Sequence, residues 1–453
     1  MATALPGANA CHRLPPTRSL QHGISGPTAV PPLGRADTAA PAQVSITVPE
    51  GLTPTCRTRC RAVLSPTVAH AKVDQLSFCH ILGWIILAIA IGGGLYMVAA
   101  VALLTRLMAP RLDTSRSAHP TVSVLKPLYG AEEGLEAALS STLEQDYPAP
   151  VQFVFGVHAA DDPACRIVEQ LRKSHPEQDI ALVCDPACHG SNAKVSNLIN
   201  MMTAAKHEII VVADSDIAVP GDWLSLVVAA LDEPGVGIVS CLYAGEGRSG
   251  AWSRLAAMAV SYNFLPNAAA GIGFGLAAPC FGSTMALNRQ ILSSIGGFER
   301  FANLLADDYE LGQAVRMQGL RIAYPPLILR HFSGETGFGE LLAHELRWAR
   351  TIRTIDPRGH WGSFVTHALP LGLIGAVLAG FTPSVFAGFT TILAARLFLK
   401  ARIDHIVGIQ AGPAWALPLR DMLSFALFLG SLSGSAVRWR GARLRVGRDG
   451  AMS

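Results

Sequence analysis

Hydrophobic positions fall into three regimes along the chain. Residues 81–104 pass without a charge; a helix across a bilayer core needs about 20 such residues, so a spanning helix is expected over 78–106. Between residues 118 and 355 short apolar runs alternate with stretches of helical spacing, as in a soluble domain. Residues 364–395 again carry no formal charge but break at Thr382-Pro383, and a further apolar block, 412–437, is interrupted by Arg420-Asp421. Adjacent opposite charges in such a block suggest a buried pair or an interfacial, re-entrant element. Two or three more membrane segments are expected within 362–437.

In the middle regime, strands are expected at 122–127, 151–157, 180–184, 208–213 and 236–241, with helices at 132–145, 163–173, 197–202 and 222–231 between them. That alternation means an α/β fold with a mainly parallel, doubly wound sheet. The pattern loosens after Gly245. Residues 264–282 are rich in Gly, Ala, Pro and Phe and read as a flexible lid or a membrane-touching segment. A strand at 282–287, a helix to 318, a short strand at 321–324 and a helix at 340–352 complete the domain.

Composition sharpens this picture. Half of the 453 residues are hydrophobic and 15% are charged, against about 25% charged in a typical soluble domain. The net charge of +3 gives no case for nucleic acid. The positive charge is local, with Arg438, Arg440, Arg443, Arg445 and Arg448 in a basic tail over 438–453. Residues 1–75 hold ten prolines and no periodicity, the signature of a disordered tail, which a start codon set too far upstream would also produce. Arg106, Arg111 and Arg116 after the first apolar helix favour a cytoplasmic exit, whereas Arg57, Arg59, Arg61 and Lys72 pull the other way. Nine cysteines are scattered; Cys184-x3-Cys188-His189 lacks a second ligand pair for zinc, which leaves free thiols in a cytosolic domain.

The chemistry gathers at expected strand ends. The run Ile209-Ile210-Val211-Val212-Ala213 reads as a strand buried on both faces, and Asp214-Ser215-Asp216 follows it. Ligands of open α/β sheets bind outside the C-terminal strand ends. Two carboxylates there can hold a hard divalent cation or close the strand as an Asx turn. Asp161-Asp162 follows the second strand, Asp307-Asp308 opens a late helix, and Arg347-Trp348 sits on the last one. Each has a plain alternative as a cap or a packed surface residue. Together they match transfer of a sugar from a nucleotide sugar: a cation for the diphosphate, a carboxylate to take the acceptor's proton, and a basic residue near the pyrophosphate. Lys194 either touches the donor or is a solvated lysine at a helix start. Gly282-Ser283-Thr284 lines the sugar pocket or, the reading preferred here, is a tight strand entry.

The segments Val122-Ser123-Val124-Leu125-Lys126-Pro127-Leu128, Asp146-Tyr147-Pro148, Asp161-Asp162-Pro163-Ala164, 192–198, Asp214-Ser215, Ala306-Asp307-Asp308-Tyr309 and Arg347-Trp348 resemble ceramide glucosyltransferase (glycosyltransferase family 21), and more closely its bacterial relatives, the hopanoid-biosynthesis glycosyltransferases. The resemblance runs over about residues 78–440. It implies a GT-A type, Rossmann-like nucleotide-sugar domain inserted between N- and C-terminal membrane helices. It also implies inverting transfer of N-acetylglucosamine or glucose from a UDP-sugar to a membrane-lipid hydroxyl, with Mg²⁺ or Mn²⁺. By position, Asp162 would contact the uridine, Asp214 and Asp216 the metal diphosphate, Asp308 would be the base, and Arg347 and Trp348 would close over the donor. The family has Gln or Arg three residues before the Arg-Trp pair, where this chain has His344. A bacteriohopanetetrol is the expected acceptor, partly because Arg347 to Arg353 looks like the hopanoid-associated relatives, with ceramide as the alternative. A processive polysaccharide synthase would need more spans, and a non-catalytic scaffold would have lost acidic residues. The expected location is the inner membrane, multi-pass, with the catalytic domain in the cytoplasm.

Overall fold

The structure, a computed structural model, describes residues 66–109, 112, 119–434, 436–439 and 442–445. Most of the expected N-terminal tail and the end of the basic tail lie outside the described residues.

The chain begins with helix α1 (Pro66–Leu107), which starts well before the expected residue 78. Pro66 suits a first helical position, and no Gly or Pro interrupts the stretch from Thr67 to Gln75, so helix extends beyond the apolar run. The soluble domain then alternates as expected: β1 (Val122–Pro127), α2 (Leu135–Leu143), β2 (Val151–Val157), α3 (Ala164–Ser174), β3 (Asp179–Cys184), α4 (Ala193–Met202), β4 (Ile209–Val212), β5 (Ile217–Ala218), α5 (Trp223–Leu231), β6 (Val236–Ser240) and β7 (Leu242–Gly247). Helices α6 (Ala251–Ala259) and α7 (Leu265–Gly273) follow, joined through a π-turn at Val260–Phe264. The expectation of a lid from residue 264 therefore needs correction, because its first part is helix. Only a helix starting at 251 shows the apolar face that Ala256, Ala257, Tyr262, Leu265 and Ala269 bury. Then come β8 (Met285–Asn288), α8 (Arg289–Ser294), α9 (Asp307–Met317), β9 (Arg321–Ala323), β10 (Ile328–Ser333) and α10 (Phe338–Ile355).

Seven strands form one sheet in the order β3-β2-β1-β4-β8-β6-β9. It is a mixed sheet: β1 pairs in parallel with β2 and β4, while β8 runs antiparallel between β4 and β6. The unbroken apolar run of β4 serves both faces. Ile209 and Val211 pack with α2, α3 and α5, and Ile210 and Val212 pack with α4 and α9. This is the doubly wound α/β class the pattern called for. A second sheet, β5-β10-β7, was not expected. Its strand β5 is too short to carry a period, yet β10 pairs with it and sets His331 opposite Ile217, beside Asp216.

After α10 the chain continues through α11 (Pro357–Gly362), α12 (Ala368–Ala379), α13 (Pro383–Val407) and α14 (Leu417–Ser431). Among the described residues, 77–107 and Pro383–Val407 are long and apolar enough to cross a membrane. The pair Pro357–Thr366 and Ala368–Ala379, bent by 58°, adds a third if it counts as one span. Ala436–Trp439 and Ala442–Arg445 pair as antiparallel strands that begin at the end of the stretch expected as membrane segments and run into the one expected as a basic tail. Arg420 and Asp421 do not pair with each other: Arg420 binds Glu345 and Asp421 binds Arg396. Neighbours on a helix point in different directions, so each finds its own partner. Among the described residues, Cys79, Cys165, Cys184, Cys241 and Cys280 are free thiols.

Helices α1 and α12 approach through glycine. A Cβ on Gly375 would lie 2.8 Å from the Leu87 nitrogen and 3.0 Å from the Gly83 carbonyl, the close backbone contact that small residues give apolar helices. Gly375→Leu is expected to lower the thermal midpoint of the detergent-purified protein, at an overpacking cost of about 1–3 kcal/mol. An unchanged midpoint would show that this contact is not tight.

Candidate active site

The Asp214 loop is held from three sides. The Asp214 backbone nitrogen donates to the Gly282 carbonyl at 3.0 Å. Beneath the loop, the buried Lys126 ammonium donates to the carbonyls of Asp214 (3.1 Å) and Ile217 (2.7 Å). Burial lowers the Lys126 pKa to about 8, against the pull of Asp216 and Asp214. The Phe332 nitrogen donates to the Asp216 carbonyl at 2.9 Å. Lys126 was missed from the sequence. Its signal was a lysine inside an otherwise apolar strand, where an ammonium needs buried acceptors.

Four of the expected side chains, or their neighbours, meet at one point. The Lys194 ammonium lies 2.7 Å from Asp214 Oδ1 and 3.5 Å from Asp307 Oδ2. Asn192 caps α4 by accepting from the Val195 nitrogen at 3.1 Å, and it donates to Asp307 Oδ1 at 3.1 Å. Asp308, on the next residue of α9, accepts from the Gly282 nitrogen (2.9 Å) and from its neighbour Tyr309 (2.8 Å). Asp307 is buried and committed to Asn192 and Lys194, whereas Asp308 is half-buried and reachable. Gly282 fills the tight space between them: a Cβ there would strike the Asp214 carboxylate and come within 3.0 Å of Lys194 Nζ. The segment read as a tight strand entry thus forms the floor of the site.

The charges are unevenly poised. Burial, and next the Asp307 carboxylate, push Asp308 up to about 6. Burial would lower Lys194, but Asp214, Asp307 and Asp308 outweigh it and hold the ammonium well above its ordinary value. Burial raises Asp214 against the pull of Lys194. Burial would also raise Asp216, but His331, whose Nε2 is 3.2 Å from Asp216 Oδ2, holds it below the usual carboxylate range.

Asp216 therefore belongs to a second group. His331 lies edge-on to Trp348 with ring centroids 6.1 Å apart, and Trp348 lies against His344 at 4.5 Å. His344 Nδ1 is 2.7 Å from Glu335 Oε1. Tyr243 of β7 lies 5.6 Å from His331 and 4.6 Å from Phe264 of the π-turn, between ring centroids. Asp162 works locally: it accepts from the nitrogens of Gly130 (3.0 and 3.1 Å) and Ala164 (2.9 Å), a loop-closing role. The structure brings Lys194, Asp214 and Asp308 together, places Asp216 and Trp348 next to them through His331, and leaves Asp162 on its own turn.

Among the described residues no three His, Cys, Asp or Glu side chains converge as a metal site. One donor nevertheless waits, since Asp216 Oδ1 is buried without a partner. Two carboxylates fit an ion such as Mg²⁺, which keeps waters and takes the rest of its shell from substrate phosphates.

The sequence profile described as Glycosyl transferase family 21 matches residues 82–452. Ceramide glucosyltransferase 1 of Caenorhabditis elegans is 25% identical over 45% of this chain and 44% of its own length, so the match spans less than half of that relative. Ceramide glucosyltransferase 3 of the same organism is 22% identical over 82% of this chain and 81% of its own length. A mannosyltransferase from Pyrobaculum calidifontis, solved with GDP-Man and Mn²⁺, is 24% identical over 75% of this chain and 98% of that one, with a TM-score of 0.44.

Lys126→Met would leave the Asp214 and Ile217 carbonyls buried without a donor. The expected loss of stability is about 1–3 kcal/mol, read as a lower thermal midpoint. A midpoint equal to that of the unaltered protein would mean the ammonium does not hold the loop.

Proposed function

We propose, since the chain belongs to glycosyl transferase family 21, that it moves a hexose from a UDP-sugar to a hydroxyl of a membrane lipid, with inversion. The observation that carries this reading is Asp308. It is a half-buried carboxylate fixed by two backbone N–H groups, raised to about 6, and set beside the Lys194 ion-pair cluster. A base so poised is ionised at neutral pH and basic enough to accept the proton of a lipid hydroxyl. The lipid oxygen attacks the anomeric carbon from the side opposite the nucleoside diphosphate, and that bond breaks as the new one forms. Lys194 offsets the charge that grows on the leaving diphosphate. Arg347 and Trp348 close over the donor, and Asp162 contacts the uridine. Asp214 and Asp216 would hold Mg²⁺ or Mn²⁺, which when bound neutralises the diphosphate.

Two apolar helices with the length of membrane spans support a membrane location. With the bent pair over residues 357–379 counted as a third span, α13 brings the chain back, so the catalytic domain and the basic C-terminus both face the cytoplasm of the inner membrane, on the side where UDP-sugars are made. The acceptor enters where 251–282 meets the apolar helices. The names of the relatives favour ceramide with glucose, which stands beside the hopanoid tetrol with N-acetylglucosamine expected from residues 347–353.

Membranes carrying the protein, supplied with UDP-glucose or UDP-N-acetylglucosamine and with ceramide or bacteriohopanetetrol, are expected to form one glycolipid detectable by mass spectrometry. Formation should stop in excess chelator. No product from any pairing would sink the reading, and full activity in metal-free buffer would remove the ion's role.

Asp308→Asn is expected to keep donor binding and to lose transfer by about 10²–10⁴-fold. In the unaltered enzyme the base is protonated as pH falls through about 6. kcat/KM should therefore be level near neutrality and drop about tenfold per unit below that point. A profile level down to pH 4, or near-normal turnover of the variant, would assign the base elsewhere.

A further inference from the structure

Two buried ion pairs fasten α14, one to α10 and one to α13. Arg420 of α14 grips Glu345 of α10 with both terminal nitrogens, Nη1 to Oε1 at 2.7 Å and Nη2 to Oε2 at 2.5 Å. Arg396 of α13 grips Asp421 with Nε and Nη2, at 2.8 and 2.6 Å. The π-turn runs between the two pairs. Arg396 donates to the Tyr262 carbonyl and to Asn263 Oδ1, both at 2.6 Å. Asn263 donates to Ser424 Oγ at 2.7 Å, and that oxygen also accepts from Arg420 at 3.0 and 3.1 Å. One unbroken chain of hydrogen bonds thus links α10, residues 251–273, α13 and α14.

Both ends of this chain touch the catalytic centre. At one end, Glu345 sits on the same helix, just ahead of Arg347 and Trp348, and Trp348 leads through His331 to Asp216. At the other end, Phe264 closes the π-turn and packs on Phe281 with ring centroids 5.2 Å apart. Phe281 precedes Gly282, which donates to Asp308. Stability alone does not account for such pairs, because exchanging a buried ion pair for apolar side chains of like volume is often neutral or stabilising. What two-pronged pairs give is fixed geometry, and a π-turn commonly marks a functional site.

We propose that Glu345, Arg420, Ser424, Asn263, Arg396 and Asp421 form a positioning device that couples donor binding under α10 to the 251–273 segment that receives the lipid. The proposal rests on the donor and acceptor sides assigned above. Nucleotide under Trp348 shifts α10, Arg420 follows Glu345, and Asn263 carries the change to Phe264 and, through Phe281 and Gly282, to the base. The six residues are positioning residues; none is placed against the reacting atoms.

The test uses the full chain in detergent, with UDP and Mn²⁺ as the probe and hydrogen exchange as the readout. In the unaltered protein, UDP is expected to slow exchange in 338–355 and also in 251–273. In the double variant Glu345→Leu with Arg420→Met, it should slow only 338–355, and KM for the lipid at saturating UDP-sugar should rise about tenfold while the Kd for UDP without lipid stays. A response of both segments in the variant, or no response of 251–273 in the unaltered protein, overturns the proposal. No response to UDP anywhere would instead overturn the nucleotide-sugar reading, and the coupling with it. If the double variant loses its thermal transition, Asn263→Leu and Ser424→Ala, which cut the link and leave both ion pairs in place, must give the same selective loss; a full response there also overturns the proposal.

Discussion

Three carboxylates share one ammonium, and the site follows from that crowding. Asp214, Asp307 and Asp308 could not all stay ionised this close together without a cation among them. Lys194 supplies it, fixed by the first turn of α4, whose cap Asn192 also holds Asp307. The arrangement divides the labour between neighbours in sequence. Asp307 is spent on binding Lys194 and Asn192, while Asp308, without an ion pair among the described residues, is held by backbone N–H groups and raised to about 6. The floor must then be glycine, because a side chain at 282 would take the space of the Asp214 carboxylate.

The parts of this fold that could be read from the chain are those in which one physical requirement acts over a continuous stretch. An uninterrupted β-branched run can only be a strand covered on both sides, so β4 and the aspartates at its end were legible. The alternation of runs with helical spacing gave the main sheet for the same reason. What stayed hidden depends on pairing between distant segments. β5 has only two residues, β10 carries Arg330 and His331 among its apolar residues, and β7 ends in glycine and glutamate, so nothing local marks them as a sheet. With that sheet unseen, His331 could not be placed on Asp216, and the Asp-x-Asp triplet looked like one unit. In the folded protein its two carboxylates serve different neighbours. Lys126 shows a third case: the residue was conspicuous, but its acceptors are carbonyls, which every sequence has.

The segment after β7 shows how mixed signals mislead. Gly, Pro and Phe between 264 and 282 read as loosely structured, yet α6, the π-turn and α7 run without a break to Gly273. The helix survives because its stabilisation is tertiary. Tyr262 and Asn263 are held by Arg396 and Ser424, and the apolar face is buried among α1, α13 and α14. Helices in proteins owe most of their stability to such packing, with propensity the smaller contribution.

Arg420 and Asp421 give α14 a particular dependence. Each charge is neutralised only by a residue on another helix, Glu345 of α10 and Arg396 of α13. Alone in hydrocarbon, α14 would carry two unmet charges, which is costly for any helix. Its apolar surface is therefore conditional, complete only once its neighbours stand beside it. The place of α14 in the fold is thus set by the partners that α10 and α13 offer it, and not by its own apolarity.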